Sequence, residues 1–228
     1  MSTVVIEADR VDVVRDGNLL LDSVSLTVRS GEHWALLGAN GAGKSTLLGL
    51  LGAVSHPTRG TVEVLGRELG RVDLRELRTY LGHVNPRHPL RSPLRVRDVV
   101  LTGLTNSVEP VPRRATDAED LNRADRLLGM LGMGGKGDAR EQLLSSLDAL
   151  RREHPELATI LVTHHLEELP ATTTHAMLLR GGRCLGSGRA DEVLTTDRVS
   201  ECFDHPVRIA RTEGRWTARA ERVMAPAA

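Results

Sequence analysis

The residues Gly38-Ala39-Asn40-Gly41-Ala42-Gly43-Lys44-Ser45-Thr46 carry the strongest chemical signal in this chain. They fit the P-loop pattern G-x-x-x-x-G-K-[ST]. Glycines let backbone N–H groups turn inward and come close to phosphate. A helix starting at the end of the loop adds unpaired N–H groups and a positive dipole end. Lys44 then reaches the β- and γ-phosphates of a nucleotide, and the Ser45 hydroxyl is placed to ligate Mg²⁺. The flanks suit this reading. Glu32-His33-Trp34-Ala35-Leu36-Leu37 reads as a short buried strand, and Leu47-Leu48-Gly49-Leu50-Leu51 as the first turns of a helix.

The elements that must position this loop follow from patterning. Val4 to Val14, rich in Val and Ile, reads as a strand. Asp16-Gly17 is a turn, Leu19–Leu21 with Val24–Val28 a second strand, and Thr61 to Leu65 a third after the Pro57–Gly60 turn. Together they suggest an antiparallel layer beside a P-loop core. Downstream, helices are expected at Leu74–Tyr80, Val96–Leu104, Asp117–Leu131 and Ala139–Arg152, where leucines recur at helical spacing. Strands are expected at Leu81–Val84, Thr159–Thr163 and Ala176–Leu179, a short helix at Asp191–Leu194, and a terminal hairpin around Glu213-Gly214. Residues 221–228 read as a loose tail.

Composition narrows the partners. The 228 residues hold Lys+Arg 30 and Asp+Glu 30, so the formal net charge is 0 and no nucleic acid partner is suggested. Two isolated cysteines, Cys184 and Cys202, have no metal-ligand spacing and suit a cytoplasmic chain with free thiols. The N-terminus does not read as a signal peptide. No apolar run approaches the ~20 residues of a membrane span, so membrane association is expected only through a partner protein.

Several stretches together resemble the nucleotide-binding subunit of an ATP-binding cassette (ABC) transporter. Leu21-Asp22-Ser23-Val24-Ser25-Leu26 resembles the strand leading to the P-loop, and Pro57 to Gly66 the strand after its helix. Ile160-Leu161-Val162-Thr163-His164 resembles the switch-histidine strand, and Gly181-Gly182-Arg183 with Gly188 to Leu194 the end of the cassette. Gly31-Glu32-His33-Trp34 and His164 to Leu169 look most like molybdate- and iron-type cassettes. The resemblance implies an α/β P-loop NTPase fold with a parallel sheet core, an antiparallel β subdomain and a shortened helical subdomain, residues 1–220 forming one nucleotide-binding domain. It implies ATP and Mg²⁺ as ligands and His164 as the switch histidine facing the γ-phosphate and the attacking water. It also implies a transmembrane permease partner, a homodimer or heterodimer of cassettes, and a place at the inner face of the membrane. Asn85–Leu104, with Arg87, Arg91, Arg95 and Arg97, resembles the segment that docks on the permease.

The departures from the family are as informative. The signature Leu-Ser-Gly-Gly-Gln has no counterpart; Met133-Gly134-Gly135-Lys136 lacks its serine. No run of four apolar residues leads into Asp-Glu, so the Walker B carboxylates for Mg²⁺ and for the attacking water are missing as well. Lys44 and His164 are 120 residues apart (164 − 44), a few tens fewer than the family needs. Because both flanks stay recognisable, an internal deletion with its junction near 134–140 is expected. Asn85 stands where the Q-loop glutamine belongs and offers a carbonyl to Mg²⁺ or water. Arg15 replaces the aromatic that stacks on adenine. Loss of a buried parallel strand predicts poor folding or altered strand pairing, and the missing carboxylates predict weak hydrolysis. Three readings remain open: a transport ATPase subunit, a non-catalytic nucleotide-binding module, and an incomplete copy of an ordinary enzyme.

Overall fold

The computed structural model describes residues 3–84, 93–105, 107, 110, 116–130 and 148–220. The chain divides into two compact units, one made of Met1–Val72 with Arg151–Ala228, the other of Asp73–Leu150.

The first unit holds the expected antiparallel layer. Strands β1 (Val4–Arg15) and β2 (Asn18–Arg29) meet at the Asp16-Gly17 turn, where both residues take positive φ, 51° and 77°. Strands β4 (Arg59–Val64) and β5 (Arg67–Glu68) complete a sheet of order β2-β1-β4-β5. One face of each strand is apolar: Ala8, Val11, Val13, Leu21, Val24, Leu26, Val28, Val62 and Val64 are buried, as period-two patterning requires.

A second sheet of order β6-β3-β7-β8 forms the core that carries the loop. Strand β3 (His33–Leu37) lies between β6 (Thr159–Val162) and β7 (His175–Arg180), parallel to both, and β8 (Arg183–Arg189) runs antiparallel to β7. From Trp34 to Leu37 every residue of β3 is buried, the mark of a strand covered on both faces. Its start is fixed by Glu32, whose carboxylate accepts from Trp34 Nε1 at 2.9 Å and from the Arg29 amide at 2.8 Å. Trp34 stacks on His175 of β7 with centroids 4.9 Å apart. Among the described residues β6 is the last strand on its side, and Thr159, Ile160, Leu161 and Val162 are all only half-buried.

Helix α1 (Lys44–Leu51) follows the loop and buries Leu47, Leu50 and Leu51. After β8 come α5 (Ala190–Val193) and α6 (Thr196–Phe203). Helix α6 was not anticipated from sequence; Thr195 caps it by accepting from the Arg198 amide at 3.4 Å. The terminal hairpin pairs β9 (Val207–Thr212) with β10 (Arg215–Ala220). Trp216 closes the core made by Ala35, Leu37, Leu166, Leu169, Ala176, Leu178, Val199 and Cys202.

The second unit contains α2 (Leu74–Arg78), α3 (Val96–Thr102) and α4 (Ala118–Met130). Arg97 on α3 forms a two-pronged ion pair with Asp125 on α4, 2.8 Å at both contacts. Residues 148–153 are helical, as expected for the end of the 139–152 helix. The strand expected at Leu81–Val84 is absent: these residues pair with no other strand, and Val84 is 90% exposed. An apolar run becomes a strand only where another strand and a covered face receive it, and none among the described residues does. The expected junction at 134–140 and the tail at 221–228 lie outside the described residues.

Candidate functional site

Three loops leave the same end of the core sheet, because β3, β6 and β7 are parallel and end side by side. Leu37 of β3 opens into Gly38, Val162 of β6 leads through Thr163 to His164, and Arg180 of β7 leads to Gly181-Gly182. The carboxyl ends of parallel strands are where open α/β sheets place ligands.

The P-loop path depends on its glycines. A Cβ on Gly38, at φ 154°, would stand 2.3 Å from the Leu179 carbonyl oxygen. A Cβ on Gly43, at φ 100°, would meet Leu21 Cδ2 at 2.8 Å and the Leu20 carbonyl at 2.9 Å. The loop is thus pressed between β2 and β7. The Gly182 amide donates to Ala42 O at 3.1 Å, and the Asp22 amide to Gly182 O at 2.9 Å, tying loop, β2 and the 181–182 turn together. Arg183 adds an ion pair to Asp22, with its Nε 2.7 Å from Oδ2.

The candidate residues fall as follows. Gly38 and Ala42 are buried; Ala39, Gly43, Lys44 and Thr46 are half-buried; Asn40, Gly41 and Ser45 are exposed. Lys44 Nζ donates to the carbonyls of Gly38 (2.7 Å) and Ala39 (2.8 Å), so its ammonium lies across the mouth of the loop. Burial lowers the Lys44 pKa from 10.5, and the neighbouring Cys202 thiol opposes that shift. Helix α1 has a left-handed N-cap at Gly43, no side-chain cap and no acidic residue in its first turn. Its first amides are therefore left for an anion. The uncapped amides, the Lys44 cation and a cradle that Cβ atoms would fill all fit a polyphosphate, and the exposed Ser45 hydroxyl suits its metal.

His164 is exposed, and its ring lies 3.9 Å from that of His165 in a tilted arrangement. The loop under it is held by Thr163, which is buried. The Thr163 hydroxyl donates to the Glu168 carboxylate and accepts from the His165 amide at 3.0 Å. Thr163 and Glu168 were missed as site residues, although both stand inside the stretch that resembles the switch region. Cys202, also missed, is 1% exposed, and burial pushes its thiol up to about 11 against the pull of Lys44. Its Sγ donates to the same Leu179 carbonyl that bounds Gly38, at 3.3 Å. Arg15 is exposed at the β1–β2 turn, beside the exposed pair Val14 and Leu19. Asn85, Arg87 and Arg91 lie outside the described residues. Arg97, in the segment expected to dock on the permease, pairs with Asp125.

The ABC transporter family model matches residues 21–165, more than half of the chain. The chain belongs to the ABC transporter ATP-binding family. It is 29% identical to the uncharacterised ABC transporter ATP-binding protein YlmA of Bacillus subtilis, over 96% of this chain and 98% of that one. It is 28% identical to the hemin import ATP-binding protein HmuV of Bradyrhizobium diazoefficiens, with 92% of each covered. Among solved structures, the ADP conformation of an ATP-binding cassette of an ABC transporter superposes with a TM-score of 0.70 at 16% identity, over 88% of this chain and 98% of that one. A cassette dimer bound to ADP and phosphate superposes with 0.66 at 18% identity, over 81% and 98%. The expected fold class therefore holds. Family members bind ATP, generally with Mg²⁺. Among the described residues no helix is long and apolar enough to cross a membrane.

Proposed function

We propose that this chain is the ATP-binding subunit of an ABC transporter, working as a pair of cassettes on a transmembrane permease at the cytoplasmic face of the membrane. The observation that carries the nucleotide site is Lys44 lying on two loop carbonyls at the uncapped start of α1. In the bound state Lys44 leaves those carbonyls for the β- and γ-phosphates. The loop amides and α1 then take the phosphate charge, and Ser45 holds the metal, with Asn85 as a second oxygen. Mg²⁺ supplies charge neutralisation between the phosphates. His164, set by the Thr163–Glu168 hydrogen bond, faces the γ-phosphate. Arg15, Val14 and Leu19 form the platform for the adenine in place of an aromatic ring, with Arg15 contributing cation–π stacking. Residues 1–220 act as one nucleotide-binding domain.

The reading includes an internal deletion near 134–140. The alignment with the B. subtilis relative runs over 262 positions against 228 residues here. At least 34 positions of that relative (262 − 228) thus have no counterpart in this chain. The half-exposed edge at β6 supports the same reading, since a parallel strand of Ile, Leu and Val is ordinarily covered. With no Walker B carboxylate in the sequence, the attacking water lacks its base. Binding then outlasts turnover, which favours a second reading of the chain as a nucleotide-responsive but non-catalytic module.

The test uses an unusual feature of the composition: the lysines are Lys44 and Lys136 alone. Acylation of the folded chain with an amine reagent, followed by peptide mass spectrometry, reads both separately. Saturating ATP with Mg²⁺ is expected to protect Lys44 and leave Lys136 reactive. An unchanged rate at Lys44 would refute the site. Phosphate release then separates the two readings, since the module predicts protection without turnover.

A further inference from the structure

One backbone carbonyl is shared by the P-loop and by a thiol that takes no direct part in phosphate chemistry. The thiol is that of Cys202 on α6, 1% exposed. Its Sγ donates to the Leu179 carbonyl oxygen at 3.3 Å. A Cβ on Gly38 would stand 2.3 Å from that oxygen and 3.3 Å from its carbon. The Gly38 carbonyl in turn accepts from Lys44 Nζ at 2.7 Å, and the Ala39 carbonyl at 2.8 Å. Thiol, strand carbonyl, loop glycine and lysine thus form one run.

The carbonyl sits where both ladders of β7 change. The pairing of β3 with β7 ends at Leu37–Leu178, so Leu179 lies one step beyond it, where the chain leaves β3 for Gly38. On the other side Leu178 pairs with Gly186 and Leu179 with Cys184, so β8 carries an extra residue at this step. A bulge disrupts the ladder locally. Pairing on both sides fixes β7 as a strand, and the thiol adds a donor at this one peptide.

The sulfur has a fixed place from which to act. Arg180, the next residue of β7, donates to the Glu201 carbonyl at 2.8 Å and pairs with Asp204 at 3.0 Å, on either side of Cys202 in the chain. Val199 and Cys202 are the buried residues of α6, so the helix cannot turn the thiol away without unpacking. Burial raises the thiol to about 11 and lowers Lys44, and each group opposes the shift of the other, so the two are close enough to interact. A free cysteine combines the bulk of a small apolar side chain with a weak S–H donor, and alanine or valine would supply the bulk alone.

We propose that Cys202 is a positioning residue of the P-loop: through the Leu179 carbonyl its S–H donor sets the Gly38 bend, and with it the two carbonyls on which Lys44 rests. What the loop is positioned for rests on the nucleotide reading above, whereas the position itself is read without nucleotide.

Three variants separate the donor from the volume. Cys202→Ser keeps a donor at about the size of alanine, Cys202→Ala removes it at that size, and Cys202→Val removes it while adding bulk. The full chain, free of nucleotide, is acylated at about pH 8, and the Lys44 rate is taken relative to Lys136 by peptide mass spectrometry. Cys202→Ala and Cys202→Val are expected to raise the ratio about tenfold, the worth of one hydrogen bond to a charged group. Cys202→Ser is expected to keep it near wild type. Protection of Lys44 should need about tenfold more ATP with Mg²⁺ in the alanine and valine variants, and an unchanged amount in the serine variant. If one of the variants without a donor melts below the assay temperature, the other, set against serine, decides. A ratio that follows side-chain size overturns the proposal. So does a ratio that serine raises as far as alanine, or one unchanged in all three variants. Lack of ATP protection in wild type would remove the nucleotide reading, and the nucleotide-free ratio would still decide the role of Cys202.

Discussion

Alanine at Gly38 and alanine at Gly41 separate two costs that usually arrive together. Both glycines have positive φ, 154° and 81°. A side chain at Gly41 meets nothing within 4 Å, so Gly41→Ala bears the backbone penalty alone, about 1–2 kcal/mol. At Gly38 the backbone penalty is about 1–3 kcal/mol, and the new Cβ sits 2.3 Å from the Leu179 carbonyl oxygen. That oxygen cannot yield easily, because β7 is paired with β3 on one side and β8 on the other. Overpacking of this kind adds about 1–3 kcal/mol. Gly38→Ala therefore costs about 2–6 kcal/mol. At about 2–4 °C per kcal/mol for a chain of this size, Gly38→Ala should lower the melting temperature by about 10 °C and Gly41→Ala by about 4 °C. Differential scanning fluorimetry with and without ATP is the assay. Gly38→Ala should also lose the ATP-induced stabilisation that wild type shows. Equal melting losses in the two variants, with ATP stabilisation intact in both, would show that contact with β7 does not shape the loop.

The Lys44 ammonium is held below 10.5 by burial, so folding pays for charging it. That cost is present at neutral pH and disappears as pH rises through the lowered value toward 10.5. The stability of wild type relative to Lys44→Met, from urea melts across pH 7.5–10.5, should therefore increase with pH; a flat difference contradicts the assigned burial. Thr163→Val leaves the Glu168 carboxylate and the His165 amide without their shared partner and should cost about 1–3 kcal/mol. Its histidine resonances should show altered His164 and His165 environments, and unchanged spectra would remove Thr163 as the positioning residue. Cys184 is exposed while Cys202 is 1% exposed with its thiol at about 11. Iodoacetamide at pH 8 should add one label to the native chain and two in urea, and rapid double labelling of the native state would count against the packing of α6.

The P-loop was legible because its chemistry is local: loop, strand and helix are contiguous, and each position is specified by a residue type. The antiparallel layer was legible from alternation between clear turns. Helix α6 was not, since its eight residues show only Val199 and Cys202 buried, too short a stripe to stand out. Leu81–Val84 misled for the opposite reason, because an apolar run says nothing of whether a neighbouring strand exists. The supports of the site are long-range. Cys202 reaches Lys44 only through the fold, and the Ala218 amide donates to Glu167 Oε1 across 51 residues, at 3.0 Å. Spacing along the chain does not encode such meetings.

The core that backs the P-loop strand joins Ala35 and Leu37 to Trp216, residues separated by nearly the whole chain. On a ribosome adding about 5–20 residues per second, the 179 residues from Leu37 to Trp216 take about 10–35 s to emerge. Throughout that time the inner face of β3 has no complete cover, so the loop strand must wait for the end of translation before it can settle. Premature termination upstream of Trp216 would therefore yield an open, association-prone sheet rather than a smaller working cassette, and the surveillance of nascent chains would decide how much of this protein a cell accumulates.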